Sequence, residues 1–438
     1  MLNDVECCSF GDYFTDLMTD DVFIPEPTPS GLWTKQKLSS KKIYIFDNEC
    51  YPESDIDQMW SQSYRRMFYY NSVINDVLDA KGDLSRKKNV RAEALLFRAA
   101  EHLNLVNLYA KHYNPETAEE DPGVPLVLAA DINEKHRRNT VKEVYDQIIA
   151  DLNEAIPDLP ERSLATTKFR GCKAGGYALL SRVYLFMGEY DKALENANAA
   201  LNEYSTLVDM NQYMVISPGP FPYVPGAPLG WTNIPDGQYN PESIISRHFL
   251  RPFGLGMDVC ASTDLTALFD NNDMRWTLYY ANGWPPAPPY NYWNTYGVKI
   301  YLRGDYYNNF LSTPEVYLIR AECNARKNKL QEALDDINLL RINRIVPAAY
   351  SALELSDFSN GDDVLRFVLN ERRRELAFTG MRHIDLKRLN LDPRFSKEIR
   401  HTAEGQEYVL LPNSPKYLRQ IWPSASKFNP DWELNPTE

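Results

Sequence analysis

Glu371, Arg372, Arg373, Arg374, Glu375, Arg382, Asp385 and Arg388 stand within one short stretch of the chain. Carboxylates beside guanidinium groups have shifted proton affinities and can serve as acids or bases. The same groups can also lock a fold through charge-assisted hydrogen bonds. The spacing favours the second use. Glu371 and Glu375 are one helical turn apart, and Arg382 and Asp385 are three residues apart, so the set can pin the last helix and its following turn. Removing one member of such a buried network costs roughly 3–5 kcal/mol, a loss of fold and not of chemistry.

Other reactive constellations are missing. There is no HExxH, no GxSxG and no Walker A loop, and GLGMDV (254–259) departs from the dinucleotide fingerprint. His102, His112, His136, His248, His383 and His401 form no i, i+4 pair for a metal, so each reads as a packing or surface residue. A glycosidase needs only two carboxylates spaced by the fold, and 60 Asp and Glu are present, so motifs alone leave that chemistry open.

Aromatic residues are the compositional excess: 28 Tyr, 18 Phe and 8 Trp, or 12% of the chain. Trp231, Trp276, Trp284, Tyr290, Tyr292, Trp293 and Tyr296 fall in sequence without helical period, and Trp33 follows TDD (19–21). A sugar ring has an apolar C–H face that stacks on an exposed aromatic, while nearby Asp, Asn or Arg groups bind its hydroxyls. The competing reading is that a loop-rich region uses large aromatics for its own core. Both stay open for any single residue.

The chain of 438 residues is 44% hydrophobic, enough for a large core. A net charge of −13 argues against nucleic acid and gives no polybasic signal for anionic lipid. Cys7, Cys8, Cys50, Cys172, Cys260 and Cys323 show no CxxC spacing, and Cys172 and Cys323 sit in helical patterns as small hydrophobes. No apolar run approaches the roughly 18 residues of a membrane span. The start, MLNDVECCSF, lacks the charged and apolar regions of a signal peptide, so the chain reads as a processed or trimmed form.

The elements that must position these residues are helical pairs. SRVYLFMGEYDKALENANAAL (181–201) lies over AECNARKNKLQEALDDINLLR (321–341) without a gap, matching Gly188 to Asn328, Tyr190 to Leu330, Ala193 to Ala333 and Ala197 to Ile337. These are tetratricopeptide positions: a residue able to turn ends the first helix, and small residues at i and i+4 let the second approach closely. A looser pair joins Arg91–Tyr109 to Val141–Ile156, with an insertion carrying an extended GVPLV (123–127) between them. That insertion is either a binding elaboration or a packing loop. Further helices are expected over 55–80 and over 362–379, the latter ended by Gly380.

From 205 to 312 Pro, Gly and aromatics replace the helical period. SIISRHF (243–249) predicts a strand, and STDLTALFD (262–270) a short helix capped by Ser262 or Thr263. The reading is one integrated domain over 1–438, mostly α. Tetratricopeptide-type helix pairs over 55–204 and 313–390 form the scaffold. An irregular, loop-rich half with short strands over 205–312, with an N-terminal loop over 1–54, supplies the ligand face.

Several segments in order resemble the SusD/RagB family of outer-membrane nutrient-uptake lipoproteins. NERRRELAFTGMRHIDLKRL (370–389) is similar to the family's ERR-x-EL…G-x-R…DL-x-R signature. RAEALLFRAAEHLNLVNLYA (91–110), GVPLV, TVKEVYDQIIADLNEAIPDLP (140–160), NPESII (240–245), FDNNDMRW (269–276), PEVYLIRAE (314–322) and WPSASKFNP (422–430) follow the family's order. The family's lipid-bearing N-terminal cysteine has no counterpart, since Cys7 and Cys8 have too little sequence before them.

The resemblance implies a SusD-like fold and a non-enzymatic protein. It would bind an oligosaccharide at the bacterial cell surface, reach the membrane only through a lipid anchor absent from this chain, and deliver substrate to a SusC-like TonB-dependent transporter. No cofactor is implied. A structural calcium is left open, since no acidic loop has EF-hand spacing. Thr19, Asp20 and Asp21 match the family's TDE-like motif, which makes Asp20, Asp21 and Trp33 candidate ligand contacts. Asp273 and Arg275 match a D-x-R element read as structural. Trp231, Trp284, Tyr290, Trp293 and Tyr296 join the candidates by their position in the irregular half. A peptide-binding tetratricopeptide scaffold and, more remotely, a glycoside hydrolase are the alternative readings.

Overall fold

The structure, a computed structural model, describes residues 13–24, 33, 38–50, 56–162, 168–213, 215–218, 230–232, 239–248, 260–282, 297–299 and 307–437. In the N-terminal segment a 3-10 turn (Tyr13–Met18) leads to strand β1 (Val22–Phe23) and helix α1 (Leu38–Tyr44). The first run of scaffold helices follows: α2 (Gln58–Asp76), α3 (Leu84–Tyr109), α4 (Val141–Ala155), α5 (Lys173–Met187) and α6 (Tyr190–Glu203). Local chemistry sets their starts. Asp57 accepts from the amides of Met59 and Trp60, and Thr140 with Glu143 forms a reciprocal capping box.

The irregular stretch contributes β2 (Val215–Pro218), β3 (Gly230–Thr232), β4 (Ser243–His248), β5 (Cys260–Ala261), the short helices α7 (Thr263–Thr266) and α8 (Met274–Tyr279), then β6 (Tyr280–Asn282), β7 (Gly297–Lys299) and β8 (Tyr307–Ser312). These strands pair only in twos: β1 with β5, β2 with β3, β4 with β8, and β6 with β7, all antiparallel. Ser262 caps α7 by accepting from the Leu265 amide, as its sequence predicts.

Helices resume with α9 (Thr313–Arg326), α10 (Leu330–Arg341), α11 (Gly361–Leu376) and α12 (Met381–Leu389). A hairpin of β9 (Ile399–Ala403) and β10 (Gln406–Leu410) and the short α13 (Pro423–Phe428) complete the described chain. Within the scaffold α2 packs on α3, α3 on α4, α5 on α6 and α9 on α10. The two sequence repeats stack directly through α6 and α9, although residues 205–312 separate them in the chain. Within the stretch β4 pairs with β8, which runs straight into α9, and Thr313 and Tyr317 of α9 donate to the carbonyls of Thr206 and Ser205 where the stretch starts. The excursion therefore begins and ends at one place.

The repeat register holds in three dimensions. Gly188 and Asn328 both take left-handed backbone, at φ +76° and +58°, and so end α5 and α9 at equivalent points. Ala193, Ala197, Ala333 and Ile337 are all buried where the second helix of each pair meets the first. In the insertion after α3, Gly123 lies so near the start of α4 that a Cβ would sit 2.7 Å from the Asn139 carbonyl oxygen and 2.9 Å from Thr140 backbone atoms. Only glycine fits that approach.

One expectation is corrected. Helix α11 ends at Leu376, before Gly380, because Phe378 and Gly380 both turn through left-handed backbone. What the sequence reading treats as a following turn is helix α12, with Gly380 as its N-cap residue.

Candidate functional site

The charged set of α11 and α12 is tied together and to the rest of the molecule by ion pairs. Glu371 pairs with Arg275 at 2.8 Å and Arg374 at 2.5 Å. Glu375 lies between Arg275 at 2.8 Å and Arg344 at 2.9 Å. Asp385 lies between Arg372 at 2.9 Å and Arg388 at 2.7 Å, and Arg388 continues to Glu322 at 2.6 Å. Arg344, fully buried, reaches Glu242 at 2.7 Å and the Val208 carbonyl at 2.8 Å. Asp273 caps α8 and holds Arg275 by a bidentate contact.

Burial alone would raise the pKa values of these carboxylates. For Glu371 the guanidinium groups of Arg275 and Arg374 overcome it, for Glu322 those of Arg388 and Arg326, and for Asp385 those of Arg372 and Arg388; each is pulled down to about 2. A carboxyl held ionised and paired on both oxygens makes a poor general acid. These residues form a lock and not a reactive centre.

The partners show what the lock joins. Glu242 belongs to NPESII, Asp273 and Arg275 to FDNNDMRW, Glu315 and Glu322 to PEVYLIRAE, and the remainder to the stretch 370–389. In the first half, Arg98 of α3 takes both oxygens of Asp151 of α4, at 2.8 and 2.6 Å. The segments that share a family likeness are thus wired to one another across the core. Sequence reasoning missed Arg344 and the Arg182–Glu315 pair, at 2.5 Å, as members. A usable signal was present in the unpaired carboxylates of the quoted segments, each of which needs a cation if buried.

The N-terminal segment docks on this lock. Asp20 receives Arg382 at 2.8 and 2.9 Å, Arg373 at 3.2 Å and Lys397 at 2.8 Å, and is 8% exposed. Asp21, 1% exposed, takes Arg373 at 2.6 Å. Burial alone would raise the pKa of Asp20, and Arg382, Arg373 and Lys397 hold it well below the usual carboxylate range. His401 of β9, stacked on Tyr44 and Phe46, contacts the carbonyls of Tyr44 and Thr19.

These positions correct part of the ligand assignment. Trp33 is 7% exposed; its indole N–H donates to Glu404 at 3.0 Å and its ring leans on Tyr44 at 5.7 Å. Asp20 and Asp21 spend their charge on arginines. The segment folds over α12 and the β9–β10 hairpin, so all three residues face protein and serve as anchors of the N-terminal segment.

The other candidates lie elsewhere. Trp284, Tyr290, Trp293 and Tyr296 fall in residues 283–296, outside the described residues, but all four belong to the one connection between β6 and β7, whose ends pair through Ala281↔Val298 and Asn282↔Gly297. β7 lies against β5, and β5 pairs with β1, so this connection starts beside the anchored N-terminal segment. Trp231 is on β3, opposite Ser217 of β2, and its side chain is outside the described residues. Trp276 and Tyr280 stack at 5.0 Å beside Phe269 and pack on the N-terminal core.

A family model described as starch-binding and associating with the outer membrane matches residues 24–185, and a second, described as the SusD family, matches residues 313–432. The chain belongs to the SusD/RagB family. A SusD-like protein of Formosa agariphila is 25% identical over 424 aligned positions, covering 83% of this chain and 81% of its own length. A SusD superfamily structure from Bacteroides thetaiotaomicron shares the fold with a TM-score of 0.75 at 20% identity, over 99% of this chain and 95% of its own. A SusD-like carbohydrate binding protein from Bacteroides vulgatus does so with a TM-score of 0.70 at 19% identity, over 98% and 95%.

As a SusD/RagB member the chain has the mostly helical fold its repeats imply. Among the described residues no helix is long and apolar enough to cross a membrane, and no group of three His, Cys, Asp or Glu side chains is gathered for a metal. The two matched ranges contain α1 to α4 with all but the last two residues of α5, and every helix from α9 to α13.

Proposed function

We propose that this SusD/RagB member is a non-catalytic glycan-binding protein of the outer-membrane surface that presents oligosaccharide to a SusC-like TonB-dependent transporter. The observation that carries the reading is the union of family membership with an aromatic-rich sequence connecting the paired strands β6 and β7. Trp284, Tyr290, Trp293 and Tyr296 lie between β6 and β7, where stacking on sugar C–H faces needs no catalytic group. The description of the family model that matches residues 24–185 supports starch-like glycans as the ligand class and the outer membrane as the location. Trp231 is a further stacking candidate on the β2–β3 ribbon.

Calorimetry with a glycan panel tests this. Oligosaccharide binding should weaken about tenfold or more on replacing Trp284 and Trp293 by alanine, each aromatic stack contributing about 0.5–1.5 kcal/mol. Unchanged affinity in a folded double variant sinks the assignment. No reducing sugar should be released from bound glycans, and release would restore the hydrolase alternative. Binding on a peptide array without any on a glycan array would favour the peptide-binding scaffold.

A further inference from the structure

A cavity of about 360 Å³ opens between the end of α3, the end of α12 and the turn at residues 413–418. That volume falls at the small end of the roughly 300–1,000 Å³ typical of small-molecule sites. It belongs neither to the β6–β7 connection nor to the arginine lock. Leu391, Pro415 and Leu418 give it an apolar wall, and Asn114, Asn413 and Ser414 a polar one.

Its charges do not balance. Lys111 and Asp121 pair with each other at 2.7 Å, and the second Asp121 oxygen accepts from Thr117. His112 is neutral, because burial drops its pKa to about 3, and its Nε2 donates to the Phe186 carbonyl at 2.7 Å. That leaves Lys387. Its side chain is buried, and its Nζ donates to the carbonyls of Asn107 and Ala110 at 2.6 and 2.7 Å.

Those carbonyls lie at the C-terminal, negative end of α3 and favour a cation there. They use two of the three N–H groups of an ammonium. Among the described residues no carboxylate lies within ion-pair distance of this Nζ; the nearby Asp385 is engaged by Arg372 and Arg388. Burial without a counter-anion pulls the Lys387 pKa down to about 7. An anion in the cavity would supply the missing partner.

We infer that this cavity is a second binding site, for a small hydroxylated carboxylate of about the size of one sugar ring, whose carboxylate pairs with Lys387 and whose body lies between Leu391, Leu418 and the Asn413–Ser414 wall. The site does not depend on the aromatic connection or on the glycan reading.

Calorimetry on the full chain with D-glucuronate, D-glucose and acetate tests it. Glucuronate should give saturable binding, with glucose and acetate each at least about tenfold weaker, since one lacks the charge and the other the body. Lys387→Met should weaken glucuronate at least about tenfold. Leu391→Trp, which fills the cavity from an exposed position and removes no ion pair, should do the same while leaving the melting temperature near that of the parent chain. Equal binding of glucose and glucuronate overturns the inference. So does no saturable heat with glucuronate, or full glucuronate affinity in a folded Leu391→Trp variant.

Discussion

The helical scaffold and the stretch 205–312 solve the same problem, holding polar chain inside a protein, in opposite ways. In the scaffold nearly every buried charge named above meets an opposite charge from a distant segment, and the helices meet through small residues such as Ala193 and Ala333. In the irregular stretch the described strands pair only in twos, and the aromatic-rich connections run between them. Paired buried charges fix one arrangement, because any displacement leaves a desolvated ion alone. Two-stranded ribbons specify their own ends and little beyond. A family can therefore keep the first region and vary the second, which is where recognition is expected.

Acid should break the contrast most strongly. Glu322, Glu371 and Asp385 titrate at about 2 in the folded chain, below the ordinary carboxylate range. A folded-state pKa below the unfolded value means stability that is complete above about pH 4.5 and lost as pH falls toward 2, on the order of 2–3 kcal/mol per group. Denaturant midpoints measured from pH 6 to pH 2.5 should fall steeply, and a flat profile would refute the lock. Arg344→Met, which strands Glu242 and leaves Glu375 with Arg275 alone, should destabilise by about 3–5 kcal/mol in urea unfolding. A loss under about 1 kcal/mol would mean the pair is solvated.

Gly123→Ala drives a methyl group into the backbone of Asn139 and Thr140 and should lower stability by about 1–3 kcal/mol, read as a drop in melting temperature. The smallest stability effect belongs to the aromatic connection. Trp284→Ala with Trp293→Ala should shift stability by under about 0.5 kcal/mol while weakening glycan binding. A large loss of stability instead would place these rings in a core and erase the distinction between the two regions.

Much of the fold is legible in the chain itself. The gapless match of 181–201 with 321–341 gives both helix pairs, the left-handed turns at Gly188 and Asn328 and the buried small residues. These follow from a period of 3.6 and from turn chemistry, both local. The sequence also marks Glu371, Arg372, Glu375, Arg382, Asp385 and Arg388 as a set, because their spacing on helices is local too.

Tertiary structure alone decides the partners and the exposure. Arg344, from the turn just past α10, enters the lock because that turn, α11 and NPESII converge, and no spacing rule reports a contact between residues 242, 344 and 375. Trp33 reads as a stacking platform from its place after TDD, yet it is buried because the β9–β10 hairpin and α1 cover it. Asp20 and Asp21 become anchors because Arg373 and Arg382 reach them. An aromatic ring or a carboxylate has the same local signature in a core, in an ion pair or against a ligand; only the neighbours that folding brings from far along the chain choose among them.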